Sequence, residues 1–173
     1  MDKSVLISIR PKWCEKIVNG EKTIEVRKTR PKLQTPFKCY IYCTMDHPYI
    51  SVSCGELDKL NYRTNTVCRC NGRVIGEFTC DRIFPINVFD NGSIQNWLFE
   101  HMKRSCLTYE ELADYIGNGK TGYGWYISDL RIYDAPRELS GFTGLRDTRF
   151  GAAPFDIKRA PQSWCYVLED YHA

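Results

Sequence analysis

Hydrophobic and polar residues alternate along three early segments of the chain, residues 4–9, 23–26 and 37–44. These segments are rich in β-branched and aromatic residues, and alternation of that kind predicts strands. Between the first two, apolar residues recur at helical spacing over residues 11–19, and the Asn-Gly step at the end favours a stop. The opening therefore predicts a strand, a short helix and two further strands.

The second half of the chain continues with both kinds of pattern. Three segments alternate and are predicted to be strands: residues 73–83, 124–133 and 163–168. An amphipathic pattern predicts a helix over 93–103. Another helix is predicted to begin after Thr108, where Glu111 completes a capping box, and to end at Gly117.

The remaining segments favour loops. Residues 28–36 contain two prolines and three cations, and residues 137–160 are rich in Gly and Arg, so both are predicted to be loops. Residues 45–71 are predicted to be an insertion that forms a hairpin or another ordered excursion. With no internal repeat and no linker, residues 1–173 are predicted to be one domain, an α+β barrel with two or three helices among five to seven strands.

Composition favours a cellular location for this domain and an oxidation state for its cysteines. The apolar run after Lys3 is too short for a signal-peptide core or a membrane span, which favours a cytoplasmic protein. The nine cysteines are odd in number and scattered, and most sit in alternating apolar segments. Reduced core thiols are therefore expected, with no disulfide framework.

Positive charge is concentrated at the start of the chain. Residues 1–38 hold ten Lys or Arg against four Asp or Glu, although the net charge of the whole chain is only +3. Such asymmetry favours a basic face for a polyanion over an evenly solvated surface.

A family resemblance is carried by residues 8–31, SIRPKWCEKIVNGEKTIEVRKTRP. This segment resembles the opening of ASCH domains, a PUA-like family, in the order of its strand, Arg-Pro step, Trp, helix and Gly-x-Lys-Thr-Ile-x-x-Arg element. Later segments that resemble small ASCH proteins of bacteria and prophages are GRVIGEF, LTYEELADYIG, GYGWYISDLRIYDAPREL and PQSWCYV. Only residues 45–71 and about 140–158 lack a counterpart.

The resemblance implies a PUA-like barrel of mixed and antiparallel strands. It also implies a cleft lined by the first helix, the Gly-x-Lys-Thr-Ile-x-x-Arg element and residues from later strands. RNA binding is the usual inference for the family. Some members hydrolyse an acetylated cytidine nucleoside, and ribonuclease activity has been attached to others.

Residues 20–27 carry the candidate cleft chemistry. Gly20 allows a tight turn, Lys22 is a compact cation for phosphate, and Arg27 offers a planar fork for phosphate or a base edge. Glu25 shares a strand face with Arg27, so it either accepts from a base amino group or neutralises the guanidinium as a structural pair.

Flanking cations and aromatic rings extend this candidate site. Phosphate contacts need cations, and single-stranded bases stack on exposed rings. The full set predicted to bind nucleic acid is Arg10, Trp13, Lys16, Lys22, Glu25, Arg27, Lys28, Arg30, Trp125, Ser163 and Trp164.

An enzyme that acts on RNA or on a modified nucleoside is the alternative interpretation. Lys22 and Glu25 are then the catalytic candidates. The resemblance to the amidohydrolases is incomplete, because their Thr is replaced by Glu25 and their distant Glu by Ser105 or Cys106. A prophage protein that binds a host protein through the segments without counterpart is a further alternative.

Metal and cofactor motifs are missing from the chain. The cysteines lack the paired spacing of zinc ribbons, and neither a G-x-x-x-x-G-K-[ST] loop nor a G-x-G-x-x-G motif occurs. The sequence therefore predicts no metal and no cofactor, an RNA or nucleotide partner, and no association with membranes. It leaves the oligomeric state open.

Overall fold

A computed structural model describes residues 3–54, 66–95 and 97–168. The elements in chain order are β1 (Lys3–Ile9), α1 (Pro11–Val18), β2 (Ile24–Arg27), β3 (Phe37–Cys43), β4 (Ser51–Cys54), β5 (Thr66–Arg69), β6 (Arg73–Cys80), β7 (Ile83–Val88), β8 (Ile94–Gln95), α2 (Phe99–Ser105), α3 (Tyr109–Ile116), β9 (Lys120–Tyr126), β10 (Ser128–Arg137), β11 (Thr143–Thr148), β12 (Gly151–Asp156) and β13 (Trp164–Leu168), with a 3-10 turn at Leu139–Gly141. The α+β class and the mixed and antiparallel β-structure predicted from the sequence are confirmed.

Two compact units divide the chain. The first comprises the described residues within 1–15, 38–78 and 130–173, and the second comprises those within 16–37 and 79–129. The organisation of residues 1–173 as a single domain stays a prediction.

A seven-stranded mixed sheet dominates the first unit, in the order β10-β6-β3-β1-β13-β11-β12. Central β1 runs parallel to β3 and antiparallel to β13, so that Leu6 lies opposite Tyr40 on one side and Cys165 on the other. Six of the seven residues of β1 are buried, as expected of a strand covered on both faces. Leu6 and Tyr40 pack with Val74 and Val167 in the core of this unit.

One predicted loop of this unit is a hairpin in the structure, because an exposed strand carries little hydrophobic alternation. The predicted loop at 137–160 contains the hairpin β11–β12, whose outer strand follows the pattern exposed, exposed, half-buried, exposed, half-buried, exposed. Within residues 45–71, β4 and β5 form the predicted hairpin, and residues 55–65 lie outside the described residues. Cys68 in β5 is disulfide-bonded, contrary to the expectation of reduced thiols, and it lies in this separate hairpin rather than in the core of the large sheet.

The second unit is built on a four-stranded antiparallel sheet, β2-β9-β7-β8, with α2 and α3 contributing to its core. Ile24 and Val26 of β2 pack in this core with Tyr126 of β9 and Leu112 of α3. Gly124 is required in β9, because a Cβ there would lie 2.4 Å from the ring of Phe84 on the neighbouring strand.

Predicted long strands are each divided in the structure. Residues 73–83 hold β6 and the start of β7, and residues 124–133 hold the end of β9 and the start of β10. In both cases the chain leaves one sheet and enters another, which periodicity within a single strand does not reveal. The described residues therefore form thirteen strands, more than the five to seven predicted.

The two helices of the second unit differ in how well their starts were predicted. Residues 93–103 were predicted to be helical, but Ile94–Gln95 pairs with β7 and α2 begins only at Phe99. The capping box of α3 is confirmed, since Thr108 Oγ1 accepts from the Glu111 amide at 3.1 Å and Glu111 Oε2 accepts from the Thr108 amide at 2.9 Å. Across the described part of the chain, each α-helix is too short and too polar to cross a bilayer.

Candidate functional site

Three charged side chains of the second unit are buried together around β2. Only 2% of Lys22, 6% of Glu25 and 7% of Arg27 is exposed. Glu25 lies between the two cations, with Oε2 3.3 Å from Lys22 Nζ and Oε1 3.0 Å from Arg27 Nη2. Residues 25 and 27 share a strand face, which brings the second pair together. We call these three residues the charged cluster.

Lys22 joins β2 to the end of α2. Its ammonium group donates to the carbonyl oxygen of Ile24 at 2.9 Å and to that of Ser105, the last residue of α2, at 2.7 Å. The same ammonium group also lies 3.3 Å from Glu25 Oε2. A cation is also favoured at the carboxyl end of a helix. Lys22 is therefore a fixed point charge whose donors are directed at protein oxygens.

Glu25 retains accepting capacity despite these contacts. Its Oε2 atom is buried, and among the described residues no donor meets it with the geometry of a hydrogen bond, so that the Lys22 contact is a purely ionic one. An ionised carboxylate offers about four lone-pair sites. The side chain remains 8% exposed. The cluster thus holds an acceptor whose position is set by two cations.

Trp125 supports the cluster from the neighbouring strand. It lies opposite Glu25 in the β2–β9 pair, is fully buried, and packs edge-on against Phe37 with ring centroids 5.9 Å apart. A ring with no exposed face cannot stack on a base. Trp125 therefore shapes the sheet beneath the site instead of taking the stacking role that the sequence suggested.

Tyr115 is a residue of this site that sequence reasoning missed. It lies on α3 and is 39% exposed, and the Lys28 ammonium is 5.2 Å from its ring centroid. Partial burial raises the pKa of the phenol, while the nearby Arg27 charge lowers it and the Glu25 charge raises it. The only cue in the sequence was an aromatic residue directly before Ile116, on the outward side of an amphipathic helix.

The other cations predicted in the second unit are more exposed. Lys16 pairs with Glu21 at 2.9 Å, with both side chains accessible, and Lys28 and Arg30 lie on the surface after β2. Exposed ion pairs contribute little to stability. The surface positions of Lys28 and Arg30 leave both side chains accessible to an external anion.

Four predicted site residues lie in the first unit. Arg10 is exposed, with Nε 3.9 Å from an Asp46 carboxylate oxygen. Trp13 is half-buried below the Lys12 ammonium, and Trp164 is half-buried beside Tyr166. The carbonyl oxygen of Ser163 accepts from the Ser8 amide at 2.9 Å. Their part in nucleic-acid binding stays a prediction.

Metal-binding groups do not converge in the part of the chain that the structure describes, since no three His, Cys, Asp or Glu side chains come together there.

Comparison with solved structures identifies proteins with a similar fold. The chain is similar to ASCH from Zymomonas mobilis, with a TM-score of 0.52 and 18% identity over 96% of this chain and 88% of that one. A single-site variant of ZmASCH gives a TM-score of 0.55 and 17% identity over 97% of this chain and 92% of that one. No protein-family model and no curated protein matches the sequence. The chain therefore has the fold of an ASCH domain, as its opening segment predicted.

Proposed function

We propose that this chain binds RNA or a nucleotide at the charged cluster, with Tyr115 and Lys28 as the accessible parts of the site. The observation that carries the proposal is the Glu25 carboxylate, a buried acceptor held between two cations with Oε2 outside any hydrogen bond from the described residues. The ASCH fold supports the proposal, because RNA binding is the usual inference for that family.

Glu25 has the chemistry to read a base. A carboxylate accepts from an exocyclic amino group such as that of cytosine, and it repels bases that present only acceptors. Lys22 and Arg27 hold the carboxylate in a fixed orientation. The 8% of the Glu25 side chain that remains exposed does not include Oε2, so a base reaches this oxygen only when the side chains that cover it move.

Tyr115 and Lys28 supply the other two ingredients of single-strand recognition. An exposed ring stacks on any base, and stacking of this kind is worth about 1–3 kcal/mol per base. Lys28 is exposed directly after β2 and offers a cation for phosphate. Base acceptor, stacking ring and cation therefore belong to one unit of the chain.

The test is fluorescence anisotropy with short single-stranded RNA, single-stranded DNA and duplex at several salt concentrations. Tyr115→Ala is expected to weaken RNA binding by about 1–3 kcal/mol, whereas Tyr115→Phe preserves it because the ring remains. Lys28→Ala is expected to lower the salt slope by about 0.7 for a single strand. Lys158→Ala, which removes an exposed lysine from the first unit, is the matched control and should change neither quantity.

Two outcomes contradict the proposal. One is an absence of binding to all three nucleic acids, and the other is RNA binding that Tyr115→Ala and Lys28→Ala leave unchanged. The RNA recovered from each titration is also analysed for cleavage. If the parent protein cleaves RNA and Glu25→Gln does not, the same site is the active site of an enzyme.

A further inference from the structure

A separate pocket lies in the second unit, on the face of the sheet opposite to Glu25. It has a volume of about 330 Å³ and is lined by Arg82, Phe84, Pro85, Leu98, His101 and Tyr126. Tyr126 lies opposite Ile24 in the strand pair, one residue away from the Trp125–Glu25 pair, so its side chain projects from the other face. The pocket is therefore distinct from the charged cluster.

Aromatic rings give the pocket flat, rigid walls. Phe84 and His101 are stacked with centroids 4.6 Å apart and planes 28° apart, and Tyr126 meets Phe84 edge-on at 5.7 Å. His101 Nδ1 accepts from the Leu98 amide at 3.2 Å, which places the proton of the neutral imidazole on Nε2. A planar ring system matches walls of this shape.

Two guanidinium groups add positive charge beside the same pocket. The Cζ atoms of Arg82 and Arg104 lie 3.9 Å and 4.6 Å from the centroid of the Tyr126 ring. Arg104 Nε also donates to Thr23 Oγ1 at 2.9 Å, which anchors this side chain. Within the described residues, no carboxylate forms an ion pair with either arginine. Arg82 lines the pocket and is exposed, so its guanidinium group is accessible to an anion there.

We infer that this pocket binds a nucleoside monophosphate group, with the base against the apolar walls and the phosphate on Arg82, the arginine that lines the pocket. The volume suits one ring system with a sugar, at the small end of ligand pockets. Guanidinium groups are well matched to phosphate oxygens because they donate in pairs. A free nucleotide and the phosphorylated end of an RNA chain share this chemistry.

Isothermal titration calorimetry tests the inference without any RNA. The ligands are the four common nucleoside 5′-monophosphates, their nucleosides and inorganic phosphate. At least one monophosphate is expected to bind about tenfold or more tightly than its nucleoside and than phosphate alone. Arg82→Ala is expected to weaken that binding by about tenfold, because it removes a phosphate donor while leaving an exposed position that tolerates truncation. Arg159→Ala, an exposed arginine of the first unit, is the matched control.

A second experiment shows whether the nucleoside monophosphate group belongs to a free nucleotide or to the phosphorylated end of an RNA chain. A short RNA with a terminal phosphate is compared with the same RNA without it, each against the parent and Arg82→Ala. An Arg82-dependent gain from the terminal phosphate identifies an RNA end, and binding of free monophosphates without such a gain identifies a free nucleotide. The inference is overturned when no monophosphate binds below about 1 mM, or when Arg82→Ala leaves binding unchanged. Either result leaves RNA binding at the charged cluster unaffected, since no RNA enters the first experiment.

Discussion

Lys22→Met removes a cation from the interior while keeping most of the apolar volume of its side chain. Lys22 is 2% exposed and contacts three oxygens, those of Ile24, Ser105 and Glu25, at 2.9, 2.7 and 3.3 Å. After the substitution two carbonyl groups lose a charged donor and one carboxylate oxygen loses a neighbouring cation, and water has little access to replace it. The unfolded chain loses nothing comparable, because there these groups are hydrated.

The expected cost is large compared with the stability of a domain. Removing one partner of a buried ion pair costs about 3–5 kcal/mol, since the remaining charge is left uncompensated. A domain of this size has a total stability of about 5–15 kcal/mol, so the variant would lose about a fifth or more of it. With a shift of about 2–4 °C per kcal/mol, the melting temperature is expected to fall by roughly 6–20 °C.

Urea unfolding followed by circular dichroism measures this loss, and Lys16→Met is the matched control. Lys16 forms its ion pair with Glu21 at 2.9 Å with both side chains accessible, so its replacement is expected to cost at most about 1 kcal/mol. The double variant Lys22→Met/Glu25→Gln should be less destabilised than the sum of the two single variants, because Glu25 is the charge that Lys22 compensates. A loss below about 1 kcal/mol for Lys22→Met, or strict additivity with Glu25→Gln, would refute this account of the cluster.

Further predictions concern packing and a buried thiol. Gly76→Ala should destabilise the chain by about 1–3 kcal/mol in a urea titration, because the new Cβ would lie 2.4 Å from the Arg131 carbonyl oxygen. Gly141→Ala is the control and should be nearly neutral in the same titration, because a Cβ there would have no atom within 4 Å. Burial raises the pKa of the Cys80 thiol from 9.0 to about 12, so between these pH values the unfolded thiol ionises while the folded thiol stays protonated, and stability falls. Cys80→Ala should lose less stability than the parent across that range in urea unfolding at neutral and alkaline pH, and an equal loss would contradict this assignment.

Much of the fold could be predicted from local patterns of the sequence. The helix beginning at Pro11 and the strands beginning near Lys3 and Phe37 follow from alternation and helical spacing, and the start of α3 follows from a capping box that involves only residues 108–111. These signals are local, because the atoms that satisfy each other lie within a few residues.

Failures arose where distant contacts decide the structure. Ile94 and Gln95 fit a helical pattern by themselves, but pairing with Val88 and Asn87 draws them into a strand. The hairpin β11–β12 resembles a loop in the sequence because its outer strand is largely exposed and carries Pro154, which is tolerated at a sheet edge. Neither outcome can be read from a window of neighbouring residues.

Local sequence patterns also fail to show which charged residues of the candidate site are buried. The sequence indicates that Lys22, Glu25 and Arg27 occur together, but their burial depends on α2 and β9, which lie some 75 to 100 residues further along the chain. This distinction changes the expected chemistry, because a buried and paired cation contributes little to the release of counterions that makes nucleic-acid binding depend on salt. The salt dependence should therefore come from exposed cations such as Lys28, while the buried cluster acts by holding Glu25. Counting charges along the first 38 residues overestimates the electrostatic term and gives no sign of the positioned carboxylate.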